Sequence, residues 1–128
     1  MATRGRYMGR PAFRLERLAP HFPSLDVRRV RLRWMPWWLR PFVRPQMAAI
    51  TLGRSVYFRP GTRIDARLVA HELVHIEQQQ REGLFRHAAR YLREYARLRR
   101  RLDAMAAYRA ISYEEEARLR AEEIVRTV

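Results

Sequence analysis

The pattern of hydrophobic positions changes near residue 65 from short runs of β-forming residues to a helical spacing. Before that point, Ala49–Leu52 and Val56–Phe58 are rich in β-forming residues and flank Gly53–Ser55, a combination typical of a hairpin turn. Pro60 and Gly61 end the second run. The pattern therefore predicts a short β-hairpin within residues 47–59.

After residue 65, apolar side chains recur at intervals of three and four, as on one face of a helix. Asp65 is a suitable N-cap for the first of these helices, and Gly83 interrupts the pattern after it. The predicted helices cover about residues 66–80, 84–102 and 113–126, with a short piece over 104–110. The fold class expected is therefore α+β and mostly helical, with a hairpin packed on the first helix and two further helices behind it.

The first 45 residues show neither spacing. Several prolines break any long helix, and the apolar positions 27, 30 and 32 suit either a short strand or a turn of helix. Residues 34–45 hold three tryptophans and three prolines. The simpler interpretation is a loop that closes the core under its indole rings, and the alternative is an apolar lip for a substrate, a partner or a membrane surface. We therefore expect one domain over residues 1–128, with an N-terminal arm and loop over 1–45 and a core over 46–128.

The chain is strongly basic, with a net charge of +14, and every basic residue other than histidine is arginine. Most of these side chains are expected to form a solvated surface; the alternative is weak electrostatic binding to nucleic acid or an anionic membrane. Because the chain has no cysteine, disulfides and thiolate metal sites are excluded. Neither a signal peptide nor an apolar run of about 18 residues is visible, so we expect a soluble cytoplasmic protein without a transmembrane segment.

Residues 70–75 carry the motif on which the functional interpretation depends, an HExxH formed by His71, Glu72 and His75. Two histidines four residues apart project from the same face of a helix, so both rings can reach one metal ion, and zinc prefers nitrogen ligands of this kind. Glu72 can turn toward the same ion and take a proton from water there, which makes it the candidate catalytic base.

A catalytic zinc site normally has three protein ligands, so a third is needed. His21 and His87 have no geometric argument in their favour. With 100° per residue along the last helix, Glu114 falls on the apolar face that also carries Ala117 and Ala121. A carboxylate on a buried face requires a partner, and a metal ion would supply one. The alternative is that Glu114 only stabilises the start of the helix through its negative charge.

Four neighbouring side chains are weaker candidates. Tyr108 and Tyr113 flank Glu114, and either phenol could stabilise an oxyanion, although such tyrosines are more often core residues. Gln78 lies about one turn beyond His75 and is expected to hydrogen-bond a metal ligand or to line the cleft. Glu116 is expected to pair with an arginine or to support a ligand.

Two segments resemble a known family. Residues 49–58 fit the pattern A-x-T-x-G-x-x-I/V-x-F, and residues 68–79 fit L-x-A-H-E-L-x-H-x-x-Q-Q. Both are similar to the HExxH core domains of bacterial zinc peptidases found alongside extracellular contractile injection systems. Residues 107–117 resemble a third segment of these proteins, and Glu114 with Ala117 matches the glutamate-x-x-alanine of gluzincin peptidases. The resemblance covers residues 46–80 and, in part, 107–118, and it implies a minimal gluzincin-like fold with Glu114 as the third ligand.

These observations favour a zinc metallopeptidase with a peptide or protein substrate, in which His71, His75 and Glu114 hold Zn²⁺ and Glu72 is the base. The strand near Val56–Phe58 would pair with an extended substrate. The alternative is a non-catalytic basic module that binds nucleic acid, membrane or protein and has a structural or vestigial zinc site. A third hypothesis is that the N-terminal arm or the tryptophan loop covers the cleft until it is displaced.

Overall fold

The structure is a computed structural model that describes residues 9–127, and its architecture is the predicted α+β class with mostly helical content. Three strands precede four helices. The strands are β1 (Arg31–Trp34), β2 (Ala49–Leu52) and β3 (Ser55–Phe58), and the helices are α1 (Ala66–Glu82), α2 (Leu84–Leu98), α3 (Ala104–Ala110) and α4 (Ser112–Val125). Short 3-10 turns occupy Leu15–Arg17, Ala19–His21, Val27–Arg29 and Arg40–Phe42.

The sheet has the order β1-β3-β2, so the second hairpin strand is central. β2 and β3 pair antiparallel through a two-residue turn in which Gly53 adopts φ +64°, and β1 pairs parallel to β3. The prediction that Val56–Phe58 pairs with a substrate is therefore wrong, because both edges of β3 are already occupied. Within residues 9–127, the outer edge of β2 has no strand partner.

One face of the sheet packs on α1, α4 packs on α1, and together these elements form the main core. Alternate strand residues such as Val56 and Phe58 are fully buried against Leu73 of α1. The N-terminal arm also contributes, since Leu18 and Phe22 are fully buried in the same core. The arm thus packs into the core although its apolar positions show neither regular spacing. From Leu15 onward it is part of the folded core rather than a removable cover.

The tryptophan-rich segment lies on the opposite face of the sheet. Met35, Leu39 and Val43 turn inward and pack against partly buried residues of the sheet and its connections, Met47, Ile50 and Tyr57. Trp37 and Trp38 remain 77% and 58% exposed. The prediction that the indole rings close the core is therefore wrong for these two residues, because aliphatic side chains spaced four apart occupy the inner face.

Helix α2 is only partly covered. It begins directly after Gly83, whose φ of +88° separates it from α1, and it ends at Leu98 rather than at residue 102. Tyr95 packs in a small cluster with residues of α3 and α4, whereas Leu92 is 63% exposed. The apolar stripe of α2 therefore forms an open wall as well as a packing surface. None of the four helices among the described residues has the length and apolar content that a membrane span needs.

Candidate metal centre

Helix α1 presents the HExxH motif toward α4 and the hairpin. Its start is fixed by Asp65, whose Oδ1 accepts a hydrogen bond of 2.9 Å from the Leu68 N–H. Glu72 and His75 are buried, and His71 is partly exposed. The rings of the two histidines stand edge to face with their centroids 5.0 Å apart. The four-residue spacing therefore brings both imidazoles to one side of the helix.

Both imidazoles converge on the carboxylate of Glu114. Its Oε1 lies 3.0 Å from His71 Nε2 and 3.1 Å from His75 Nε2. One ligand atom from each of the three residues lies within 4.8 Å of the others. Glu114 is 3% exposed, which confirms its predicted place on the buried face of α4. Two residues of α1 and one of α4, about 40 residues later, thus form a cluster of metal-binding donors.

The charges of His75 and Glu114 are coupled at this cluster. Burial opposes ionisation of Glu114, yet His75 and the hydrogen bonds from both histidines hold its pKa well below the usual range. Burial disfavours the charged form of His75, but the Glu114 carboxylate outweighs this effect and raises the pKa of His75 to about 9. Without a metal, a proton on His75 balances the carboxylate; a divalent ion would take over that role.

Gln78 fixes the tautomer that metal binding needs. Its side-chain amide donates to the Tyr113 carbonyl at 3.0 Å and to Glu116 Oε1 at 2.6 Å. Its Oε1 therefore faces His75 and accepts from Nδ1 at 2.8 Å. With the proton held on Nδ1, a neutral His75 ring directs the lone pair of Nε2 toward Glu114. Two nitrogens and one carboxylate oxygen arranged in this way fit the donor preference of Zn²⁺.

Tyr91 was not identified from the sequence as a site residue. Its hydroxyl donates to Glu114 Oε2 at 2.7 Å, so it holds the carboxylate oxygen that does not face the histidines. Burial and the Glu114 carboxylate raise the pKa of Tyr91, so its hydroxyl stays protonated and remains a donor. In the sequence, Tyr91 is one of the residues on the apolar stripe of α2. That position does not show whether its hydroxyl donates to a site residue or its ring only packs in the core.

The two predicted tyrosines have different positions. Tyr108 lines the cleft beside Glu114 and Glu72, and burial together with these carboxylates raises its pKa. Tyr113 does not direct its hydroxyl to the cluster: this group donates to Glu82 Oε1 at 2.6 Å. The suggestion that the Tyr113 phenol stabilises a transition state is therefore corrected. Only its backbone carbonyl takes part, as an acceptor for Gln78.

His87, for which the sequence analysis found no geometric argument, is buried next to this network. Its Nε2 lies 3.4 Å from Gln78 Oε1, and its ring lies 4.2 Å from that of Tyr113, centroid to centroid. Burial and the nearby His75 lower its pKa, so it is neutral. It supports Gln78 and does not belong to the donor cluster. His21 lies in the N-terminal arm and is also outside the cluster.

Glu72 lies beside the donor cluster in the same cleft. Its Oε1 accepts a hydrogen bond of 2.8 Å from the hydroxyl of Thr51, a residue of β2. The cleft has a volume of about 250 Å³. Its walls come from the edge strand β2, from α2, and from the segment over residues 42–47 that follows the tryptophans. Phe42, Leu52, Ala88 and Leu92 belong to its apolar part. In the part of the chain that the structure describes, the outer edge of β2 has no strand partner, although the Thr51 carbonyl accepts a hydrogen bond of 2.8 Å from Gln79 Nε2. A carboxylate, a candidate metal centre and this strand edge thus share one opening.

This fold and site define a small α+β protein in which an HExxH motif and a later glutamate form a candidate metal centre. The model of the eCIS core domain family matches residues 15–83, and the chain belongs to this family. The match includes the arm from Leu15 onward, which the sequence resemblance did not cover, and it ends before the segment over 107–118. No curated protein and no solved structure matches the chain significantly.

Proposed function

We propose that this chain is a zinc-dependent peptidase. The convergence of His71 Nε2, His75 Nε2 and Glu114 Oε1 beside the buried Glu72 carries the proposal. Three protein donors leave a coordination position open, as in catalytic zinc sites, whereas structural sites are closed by four. When bound here, Zn²⁺ supplies a Lewis acid that polarises the oxygen of water or of a peptide carbonyl.

Glu72 acts as the general base in this proposal. Thr51 holds its Oε1, and within residues 9–127 no hydrogen bond is recorded to its other oxygen, which is free to take the proton of an attacking water. Tyr108 lines the same cleft and stays protonated, because its pKa is raised. Its hydroxyl is therefore the candidate donor to the developing oxyanion.

The open edge of β2 is the proposed binding site for the substrate. Residues Ala49–Leu52 line the cleft, and no strand within the described part of the chain pairs with their outer edge. An extended peptide can add to such an edge through main-chain hydrogen bonds. This replaces β3 by β2 as the substrate-binding strand. The chain also belongs to the eCIS core domain family, where eCIS stands for extracellular contractile injection system. This membership supports a protein partner or substrate that belongs to an injection system of this kind.

The alternative of a non-catalytic module with a vestigial site leaves Glu72 unexplained. Among the described residues, the recorded hydrogen-bond partner of this buried carboxylate is one neutral hydroxyl, and no arginine forms an ion pair with it. A protonated His75 also attracts this carboxylate, but the same ring already balances Glu114. Burying a second carboxylate beside one cationic ring is costly. A vestigial site would be stabilised by losing this carboxylate, whereas a peptidase requires it.

Metal analysis of the wild type and Glu114→Ala tests the metal centre. We expect one zinc per wild-type chain and loss of stoichiometric zinc in Glu114→Ala. The exposed neighbour Glu115 provides a matched control, and Glu115→Ala should keep its zinc. A wild type that takes up no zinc at equimolar concentration would refute the proposed site.

Replacement of Glu72 by Gln separates metal binding from catalysis. We expect this variant to retain zinc and to lose cleavage of fluorescently labelled casein by about 10²-fold or more. Equal cleavage by the wild type and Glu72→Gln would remove Glu72 from its role. If the zinc-loaded wild type does not cleave casein, the result would favour the non-catalytic alternative.

A further inference from the structure

The segment over residues 36–42, which we call the aromatic loop, exposes three large aromatic side chains. Trp37 is 77% exposed, Trp38 58% and Phe42 82%. Single exposed apolar residues are ordinary, but a cluster of large aromatics within six residues marks an interaction surface. Neither the metal centre nor the proposed base requires the two tryptophans, which do not line the cleft.

The loop is held firmly, so this exposure is a property of the fold. Met35, Leu39 and Val43 anchor it to the outer face of the sheet. Arg59 donates three hydrogen bonds of 2.8 Å to the carbonyls of Met47, Val43 and Arg44. The indole rings are thus presented outward on a fixed base.

The surroundings of the loop carry one sign of charge. From Val27 to Ile64 the chain contains nine arginines and no aspartate or glutamate. Arg31, Arg33 and Arg40 are exposed, and the first two lie on the strand residues that alternate with the buried ones. No ion pair among residues 9–127 is recorded for any of the three. The exposed indoles are therefore flanked in the chain by exposed arginines that form no ion pair among the described residues.

We propose that the aromatic loop docks onto an anionic lipid bilayer. Tryptophan rings are favoured at the boundary between headgroups and acyl chains, and nearby arginines are attracted to anionic headgroups. A protruding loop with charge of a single sign matches a bilayer surface better than it matches a protein groove of mixed charge. Phe42 also lines the cleft, so docking would place the cleft next to the membrane. This inference does not depend on peptidase activity.

Vesicle sedimentation with the full chain tests the proposal. Two of the three tryptophans of the chain belong to the aromatic loop, whereas Trp34 is partly buried against the main core. A change of tryptophan emission on binding therefore reports chiefly on this surface. We expect binding to vesicles of equal parts phosphatidylcholine and phosphatidylserine, with a blue shift of the emission, and much weaker binding to phosphatidylcholine alone. The double variant Trp37→Ser/Trp38→Ser should lose at least about tenfold in partition coefficient.

Phe85 provides a matched control, because it is 87% exposed but lies on α2. Phe85→Ser should bind vesicles like the wild type, and circular dichroism should show that both variants are folded. Unchanged binding of the folded double variant would overturn the proposal in favour of general electrostatics. The proposal would also be overturned if the wild type did not bind vesicles, or if it bound neutral vesicles equally well. Self-association of the wild type that the double variant abolishes would overturn it too, because a second copy of the chain would then be the occupant of the loop.

Discussion

Replacement of Gln78 by leucine tests how the metal centre is built. Gln78 is fully buried, and its side chain makes four polar contacts in the structure. Leucine has a similar size but neither donates nor accepts. The substitution therefore leaves two buried groups without a close hydrogen-bond partner, the Nδ1–H of His75 and the carbonyl of Tyr113. It also removes the longer contact of 3.4 Å to His87 and the bond to the partly exposed Glu116. His75 is then free to adopt the tautomer with its proton on Nε2, which cannot bind a metal through that atom.

The expected magnitudes follow from these two groups. A buried polar group without a partner costs about 1–3 kcal/mol, so Gln78→Leu should lose about 2–6 kcal/mol of unfolding free energy. Residues that orient a metal-binding histidine typically contribute about 10- to 100-fold in metal affinity. We therefore expect zinc affinity to fall by a factor in that range, in addition to the loss of stability.

Gln78→Glu separates the two effects. A glutamate keeps an oxygen for His75 Nδ1 but loses the donors to Tyr113 and Glu116, so it should be less stable than the wild type and still bind zinc within a few-fold of it. Chelator competition gives the affinities and urea denaturation the stabilities. Gln80→Leu is the control, because Gln80 is an exposed glutamine of the same helix. Wild-type zinc affinity in a folded Gln78→Leu would refute the view that Gln78 sets the tautomer.

Three further substitutions probe single contacts. Arg59→Met removes three hydrogen bonds to loop carbonyls and should lower the unfolding free energy by about 2–4 kcal/mol in urea denaturation; an unchanged midpoint would contradict the anchoring role. Thr51→Val removes the donor to Glu72 and, if the proposed function holds, should lower kcat/KM about tenfold with zinc content intact, whereas Thr51→Ser should restore it. Tyr91→Phe removes the donor to Glu114 and should weaken zinc binding about tenfold in chelator competition; equal affinity would limit Tyr91 to packing.

The position of the third donor explains why the family match and the site do not coincide. The match ends at residue 83, whereas Glu114 lies on α4. The matched segment includes the sheet, α1 and the arm, which together form most of the main core. Helix α4 completes that core through Ala117 and Ala121 and brings the carboxylate with it. The same packing that buries α4 thus also completes the candidate metal centre.

The sequence alone determined those features that depend on local periodicity. The four-residue spacing of His71 and His75 fixes them on one face of a helix, and Asp65 marks where that helix begins. The apolar positions of α4 place Glu114 on its buried side, because the helical repeat relates residues three, four and seven apart. These features needed no knowledge of distant elements.

The tertiary structure decided what lies against these local features. It added β1 to the sheet, so that β2 rather than β3 has the open edge. It brought Tyr91 and Thr51 into contact with carboxylates 23 and 21 residues away in the chain. It also turned Met35 and Leu39 inward, leaving Trp37 exposed. Such contacts depend on how separate elements pack, and side-chain spacing within one element carries no information about its neighbours.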